Sequence, residues 1–111
     1  MSDMYYELSP VYDSCKSFYG KARVKVDGND LQLFSYSTAV AIVTYLPDGA
    51  KLAHITGVYS RTTVRHIREF LRQHGFKPGT KAELISEFYS NIVRLDPDGA
   101  TTYLSTDPVN N

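Results

Sequence analysis

The strongest pattern of hydrophobic and polar positions lies between Tyr59 and Phe76. Apolar side chains recur there every three or four residues, which is the period of a helix with one buried face. The apolar positions are Val64, Ile67, Phe70 and Leu71. Ser60 is a preferred N-cap residue, and Gly75 followed by Phe76 is typical of a helix that ends in a left-handed residue. The pattern therefore predicts a helix from Ser60 to Gly75.

A second helix is predicted further along the chain by its own start signal. Thr80 and Glu83 have the spacing of a capping box, in which each side chain accepts a hydrogen bond from the other residue's backbone N–H. The residues expected to face the core are Leu84, Ile85 and Phe88, with Tyr89 as a further candidate. We expect this helix to end near Asn91.

Alternating apolar and polar positions before the first helix are typical of β-strands. Strands are predicted at residues 17–26, 31–36, 38–46 and 51–58. The triplet Pro47-Asp48-Gly49 is a strong hairpin signal between two of them. The same triplet recurs as Pro97-Asp98-Gly99, so residues 92–104 are compatible with a second hairpin.

Strands followed by helices indicate the α+β class. We predict an antiparallel meander of three to four strands with two helices packed on one face, and a C-terminal hairpin as an option. Residues 17–104 would form a single α+β domain, and residues 105–111 a frayed C-terminus. For residues 1–16, both a tail and an arm docked on the domain are compatible with the sequence.

Charge, cysteine content and hydropathy limit the partners and the compartment that we expect for this protein. Twelve basic and twelve acidic residues give a formal net charge of zero, so any basic surface must be local. Cys15 is the only cysteine, which fits a reducing compartment. The first residues lack the pattern of a signal peptide, and the longest apolar run, residues 39–43, is too short to cross a membrane. We therefore expect a cytoplasmic protein with no membrane partner.

The first predicted helix also carries four arginines at steps of four, three and four. They are Arg61, Arg65, Arg68 and Arg72, here called the arginine row. This spacing stacks them on one side of the helix, where like charges repel by roughly 0.2–0.5 kcal/mol per pair. Only Glu69 lies near enough in the helix to pair with them. Stacked like charges are unfavourable in a helix, and local conflicts of this kind are expected at functional sites, so the arginine row is a candidate binding surface. The alternative interpretation is a solvated helix face.

A second basic cluster is predicted on the first of these strands. Lys21, Arg23 and Lys25 alternate with apolar residues and would share the outward face. Arginine contacts phosphate in a bidentate manner, and tyrosine, which occurs nine times in the chain, stacks on bases. The same residue types dominate protein–protein hot spots. Both basic surfaces therefore fit nucleic acid, a protein partner or self-association.

The sequence contains no recognisable pattern for catalysis or for a metal or cofactor. His54, His66 and His74 have no partner at ligand spacing. The seven glycines stand singly, so no glycine-rich phosphate loop is present. Cys15 has no nearby histidine that would activate a thiol nucleophile. We predict no catalytic residue, no metal ligand and no cofactor.

Three segments carry a family resemblance. They are SFYGKA at residues 17–22, SYSTAVA at residues 35–41 and YSRTTVRHIREFL at residues 59–71. Together they resemble a domain of unknown function found in small proteins of bacteria, their phages and plasmids, over about residues 17–89. The resemblance implies a bacterial or phage cytoplasmic setting, and it brings no catalytic residue, cofactor or substrate.

These observations together predict a small non-enzymatic binding protein that acts through a protein partner. The alternative is a nucleic-acid-binding accessory protein that uses the arginine-lined helix face. The candidate partner-binding residues are the arginine row together with Lys21, Arg23 and Lys25.

Overall fold

The computed structural model describes residues 4–57 and 60–105. Within these two ranges, seven strands form one antiparallel sheet in which the spatial order equals the order in sequence. The strands are β1 (Met4–Glu7), β2 (Ala22–Asp27), β3 (Asp30–Ser35), β4 (Thr38–Tyr45), β5 (Lys51–Ile55), β6 (Asn91–Leu95) and β7 (Thr101–Ser105). The helices are α1 (Arg61–Gln73) and the short α2 (Lys81–Leu84), which continues into a π-helical turn, Ile85–Tyr89.

The predicted α+β class and the antiparallel meander are confirmed, but the predicted number of strands, three to four, is wrong. β1 was missed because all four of its residues are exposed, so no alternation of buried positions marks it. At the other end of the chain, the optional C-terminal hairpin does form. β6 pairs with β5 and β7 pairs with β6, which extends the same sheet by two strands.

The two Pro-Asp-Gly triplets form the same kind of hairpin. In the first, the backbone N–H of Leu46 donates to the carbonyl of Ala50 at 2.9 Å, and in the second Asp96 donates to Ala100 at 2.8 Å. The glycine of each triplet has a positive φ, which is 91° at Gly49. Glycine adopts this conformation readily because it has no Cβ. Their recurrence in the sequence therefore reflects a repeated turn geometry.

Both predicted ends of α1 are confirmed, although Tyr59 lies outside the described residues. The Ser60 hydroxyl accepts a hydrogen bond from the backbone N–H of Thr63 at 3.2 Å. At the other end, Phe76 donates its backbone N–H to the carbonyl of Leu71 at 3.0 Å, as in a Schellman ending. No helix of the described chain has both the length and the apolar character needed to cross a membrane.

One hydrophobic core lies between the two helices and one face of the sheet. The helices contribute Val64, Ile67, Phe70, Leu71, Leu84 and Phe88. The strands contribute, among others, Val24, Leu33, Val43, Ala53, Ile55 and Val93. Leu8, which directly follows β1, also belongs to this core and is 1% exposed. The N-terminal segment is therefore anchored on the same core as α1.

The predicted core position at Ile85 is wrong. Ile85 is 36% exposed and Tyr89 is 48% exposed, whereas Leu84 and Phe88 are buried. Leu84 and Phe88 lie four residues apart and share the face that packs on the sheet, whereas Ile85 lies about 100° further round the helix from Leu84. The π-helical turn begins at Ile85, whose carbonyl accepts the backbone N–H of Ser90.

The opposite face of the sheet is covered by neither described helix. In β2, Ala22 and Val24 are fully buried in the core. Because side chains alternate across a strand, Arg23 and Lys25 project from the other face. The sheet thus separates the side that carries α1 from a side on which the described residues form no helix.

Candidate functional site

An open groove of about 1010 Å³ lies along the solvent-facing side of α1. Its walls come from three parts of the chain: the N-terminal segment, α1 and the start of α2. The polar and charged side chains that line it include Tyr12, Asp13, Ser14, Lys81 and all four members of the arginine row. We call this surface the arginine groove.

The helix places the arginine row as its spacing predicts. At a rise of about 1.5 Å per residue, successive members are separated along the helix axis by about 6, 4.5 and 6 Å. Arg61, Arg65 and Arg72 are exposed, and Arg68 is partly exposed. The first turn of α1 contains no acidic residue. The helix therefore offers a nearly continuous line of guanidinium groups to the groove.

Glu69 makes no ion pair with the arginine row among the described residues, and instead holds the N-terminal segment. Its side chain is buried, with 2% exposure. The carboxylate accepts the backbone N–H groups of Val11, Tyr12 and Asp13 at 2.8, 2.9 and 2.9 Å. The side-chain amide of Gln73 donates a fourth hydrogen bond at 2.6 Å. These four donors compensate the burial of the charge, and they place residues 11–13 along the wall of the groove.

Asp13 is the carboxylate that neutralises part of the arginine row. Arg65 donates to it from Nε at 3.1 Å and from Nη2 at 2.5 Å, which is a bidentate ion pair. The backbone N–H of Cys15 donates to the same carboxylate at 2.9 Å. The hydrogen bonds from Arg65 and from the Cys15 backbone lower the pKa of Asp13 to about 2. Asp13 is therefore a carboxylate at any ordinary pH.

The remaining cations of the arginine groove have no ion pair among the described residues. They are Arg61, Arg68, Arg72 and Lys81. Five cations and two carboxylates, Asp13 and Glu69, thus line one concave surface of a molecule whose formal net charge is zero. A local excess of three positive charges in a concavity focuses the field on an anionic ligand.

The second predicted basic cluster does not line the arginine groove. Arg23 projects from the helix-free face, where its guanidinium lies 5.6 Å from the ring centroid of Tyr5. Lys25 is on the same face. Lys21 precedes β2, and its ammonium lies 5.9 Å from the ring centroid of Tyr36. The sheet separates Arg23 and Lys25 from the arginine row, so these predicted residues do not form one surface.

Two of the three histidines, His66 within α1 and His74 at its C-cap, have structural roles. His66 is 1% exposed, and its Nδ1 is hydrogen-bonded to the Ser35 hydroxyl at 2.8 Å. Burial lowers the pKa of His66 and also that of His74, whose Nδ1 is hydrogen-bonded to the Tyr45 hydroxyl at 2.7 Å. Both rings are therefore neutral near pH 7.

The third histidine and the cysteine also have partners of their own. His54 Nε2 lies 3.3 Å from the carbonyl oxygen of Tyr89, and the Cys15 thiol donates to the carbonyl of Ser17 at 2.8 Å. Across the described ranges, 4–57 and 60–105, no three histidine, cysteine, aspartate or glutamate side chains converge as metal ligands would.

Comparison with known proteins identifies the family. The sequence profile of a family of unknown function, DUF8033, matches residues 6–86. The chain belongs to DUF8033. This confirms the expected resemblance to a domain of unknown function, and it moves the start of the similarity from residue 17 to residue 6. No curated protein and no solved structure matches the chain.

The DUF8033 region includes the arginine groove in full. It contains the end of β1, the segment held by Glu69, all of α1 and Lys81, and it ends within the π-helical turn. The strands β6 and β7 follow it. The groove is thus built entirely from family residues, whereas the C-terminal hairpin lies outside the matched range.

The residues of the arginine groove that the sequence interpretation missed include Tyr12, Asp13, Ser14, Glu69 as an anchor, and Lys81. One local signal was present, because Glu69 lies beside the apolar stripe of α1, where a buried acid needs donors. The donors themselves come from residues 56 to 58 positions earlier in the chain. No periodic pattern in the sequence indicates such a distant contact.

Proposed function

We propose that this protein is a small non-enzymatic binding protein, and that its arginine groove receives an acidic segment of a protein partner. In this proposal the protein acts in the cytoplasm of a bacterium, or of a cell that hosts a phage or plasmid. The observation that carries the proposal is the bidentate ion pair between Arg65 and Asp13.

That ion pair, which lies within the chain, supports the proposal because it is a contact between the arginine row and a carboxylate of a non-helical segment. Asp13 belongs to a non-helical segment that runs beside α1, and its side chain reaches one arginine of the row. A partner segment on the other side of the row would meet Arg61, Arg68 and Arg72 in the same manner. In an extended peptide, side chains on one face repeat at roughly 6.6–6.8 Å, close to the axial step of about 6 Å from Arg68 to Arg72.

A nucleic-acid partner is the second candidate, and one observation favours it. The Tyr12 side chain is 57% exposed and lines the arginine groove beside the cationic side chains. A ring in that position can stack on a base while the arginines contact phosphates. The alternative function is therefore an accessory protein that binds single-stranded nucleic acid through the same groove.

The test is a pull-down with the full chain from a lysate of the source cells, with and without nuclease. The informative variant is Arg61→Glu combined with Arg72→Glu, because both positions are exposed and neither has an ion pair among the described residues. Arg65 is unsuitable, since its reversal would also break the contact with Asp13. The matched control is Arg23→Glu combined with Lys77→Glu, which changes the net charge equally at exposed positions away from the groove.

We expect the parent and the control to retain a protein partner after nuclease treatment, and the groove variant to lose it. Loss of the partner on nuclease treatment would favour the nucleic-acid function. That function also predicts a steep decrease of affinity with salt, with a log–log slope of roughly −0.7 to −0.9 per phosphate contacted. If the groove variant binds as well as the parent, the arginine row is a solvated helix face and the proposal is wrong.

A further inference from the structure

Two tyrosines adopt a backbone conformation that tyrosine rarely takes. The φ angle is 54° at Tyr19 and 61° at Tyr36, and in the part of the chain that the structure describes only glycines share a positive φ with them. The left-handed region is unfavourable for a bulky L-residue, because its Cβ approaches the following carbonyl oxygen. Both positions therefore carry backbone strain.

Each of these tyrosines is the first of the two central residues of a tight turn. The turn at residues 18–21 is closed by a hydrogen bond of 3.0 Å from the backbone N–H of its last residue to the carbonyl of its first residue. The turn at residues 35–38 joins β3 to β4, and its first and last residues pair in the sheet. Glycine and asparagine are preferred at such positions because they tolerate a positive φ. The geometry of the turns therefore does not explain the choice of tyrosine.

Burial does not compensate the strain either. Tyr19 is 77% exposed, and Tyr36 is 48% exposed. The ring of Tyr36 has one aromatic neighbour, His66, at a centroid distance of 6.1 Å. Exposed side chains held at strained backbone positions are typical of residues that contact a ligand.

The two turns lie side by side on a rigid support, and we call them the tyrosine turns. The backbone N–H of Tyr36 donates to the carbonyl of Lys21 at 2.6 Å. The ring of His66 contacts both turns, since its centroid lies 4.7 Å from that of Phe18 and 6.1 Å from that of Tyr36. His66 belongs to α1 and is 1% exposed, so the helix fixes both turns. Such pre-organisation reduces the entropic cost of binding a ligand.

A cation accompanies the exposed rings. The ammonium of Lys21 lies 5.9 Å from the ring centroid of Tyr36, which is a cation–π distance. The nearby carboxylate of Glu7 is directed at the turn backbone, where it accepts the N–H of Gly20 at 3.1 Å. Exposed rings beside a lysine favour single-stranded nucleic acid, because bases stack on the rings and a phosphate pairs with the ammonium. A protein interface is less favoured, since lysine is depleted there.

We propose that the tyrosine turns bind single-stranded nucleic acid, with bases stacked on Tyr19 and Tyr36 and a phosphate paired with Lys21. Stacking and phosphate pairing do not depend on base identity, so the site tolerates many sequences. None of these three residues lines the arginine groove. The inference therefore does not rest on the proposed function, and it is tested without a protein partner.

The test is fluorescence anisotropy of labelled oligo-dT and oligo-U, each about ten nucleotides long, titrated with the full chain. We expect the parent to bind both strands. Tyr19→Asn and Tyr36→Asn should each weaken binding about five-fold or more, which corresponds to the loss of one stacking contact. Tyr19→Phe and Tyr36→Phe keep the rings and should bind as the parent does. Lys21→Gln should make the slope of log affinity against log salt shallower by about 0.7.

Thermal unfolding of the same variants separates binding from folding. Asparagine tolerates a positive φ, so Tyr19→Asn should relieve strain and raise the Tm while it weakens binding. The matched control is Tyr103→Asn, because Tyr103 is 50% exposed and lies in β7, the fourth strand beyond β3 in the sheet. This control should bind the strands as tightly as the parent.

Four results would each overturn the proposal. The first is a parent that binds neither oligonucleotide at low salt. The second is a clear decrease in the Tm of Tyr19→Asn, which would give the ring a structural role. The third is loss of the strand in Arg61→Glu combined with Arg72→Glu while both asparagine variants bind normally, which would place the nucleic acid in the arginine groove. The fourth is loss of a nuclease-resistant protein partner, and not of the oligonucleotides, in the asparagine variants.

Discussion

The carboxylate of Glu69 is the most informative single group to change, because it connects α1 to the N-terminal segment. We consider Glu69→Gln, which preserves shape and removes the charge. Oε2 accepts from Val11 and Gln73, and Oε1 accepts from Tyr12 and Asp13. A glutamine amide has one oxygen and one NH2 group, so in either orientation two N–H donors face another donor.

The expected cost follows from those two lost hydrogen bonds. A hydrogen bond to a charged group contributes about 1.5–3 kcal/mol, and the buried donors left behind lose their partners. Two such bonds give a decrease of about 3 kcal/mol or more in the free energy of unfolding. This decrease in the free energy of unfolding has an upper limit, because residues 11–13 can detach from α1 and their N–H groups are then hydrated by water. For a domain of this size, 3 kcal/mol lowers the Tm by about 10 °C.

The assay is urea unfolding followed by circular dichroism, combined with hydrogen exchange of the backbone amides of residues 11–13. In the parent these amides should be protected, and in the variant they should exchange faster than the strand amides. Glu83→Gln is the matched control: Glu83 is exposed and accepts one hydrogen bond from Thr80. Glu83→Gln should lower the free energy of unfolding by no more than about 1 kcal/mol, which is typical of the loss of an exposed capping contact.

A different result would contradict this account of the N-terminal segment. If Glu69→Gln unfolds within about 1 kcal/mol of the parent, and the amides of residues 11–13 stay protected, the charge of Glu69 is not what holds the segment. Burial of Leu8, which is 1% exposed, would then be the dominant anchor.

Two further predictions concern the core and the response to acid. Phe70 is fully buried, and Phe70→Ala should lower the free energy of unfolding by roughly 3–5 kcal/mol, as measured by urea unfolding. Asp13 has a pKa of about 2 in the folded protein, below its ordinary value of 3.8, so its contribution to stability is present above pH 4 and is lost as the pH falls towards 2. The difference in Tm between the parent and Asp13→Asn should therefore shrink over that range, and a constant difference would contradict the ion pair with Arg65.

Elements whose signals are local could be predicted from the sequence. The two ends of α1 depend on Ser60 and on the Gly75–Phe76 pair, which act within one helical turn. Each Pro-Asp-Gly hairpin likewise depends on five consecutive residues. By contrast, helical periodicity did not decide that Leu84 and Phe88, and not Ile85 between them, would face the core.

The arginine groove was predictable only in part, because only one of its walls depends on residues that are close together in the sequence. The spacing of the arginine row is a property of α1 alone, so its accessibility on one side of the helix could be expected. The other wall, at residues 12–14, depends on contacts between residues more than fifty positions apart. The separation of Arg23 and Lys25 from the arginine row depends on which strand face the helices cover.

The order of strands in the sheet also has a consequence for how the chain folds during synthesis. Among the described residues each strand pairs with strands adjacent in sequence, so β1 to β5 can assemble in the order in which they leave the ribosome. Until α1 emerges, however, the nascent five-stranded sheet presents its apolar face to solvent. Glu69 is made 56 to 58 residues after the amides it binds, so the N-terminal segment is fixed late. In this interval the nascent chain is most exposed to chaperones and to aggregation.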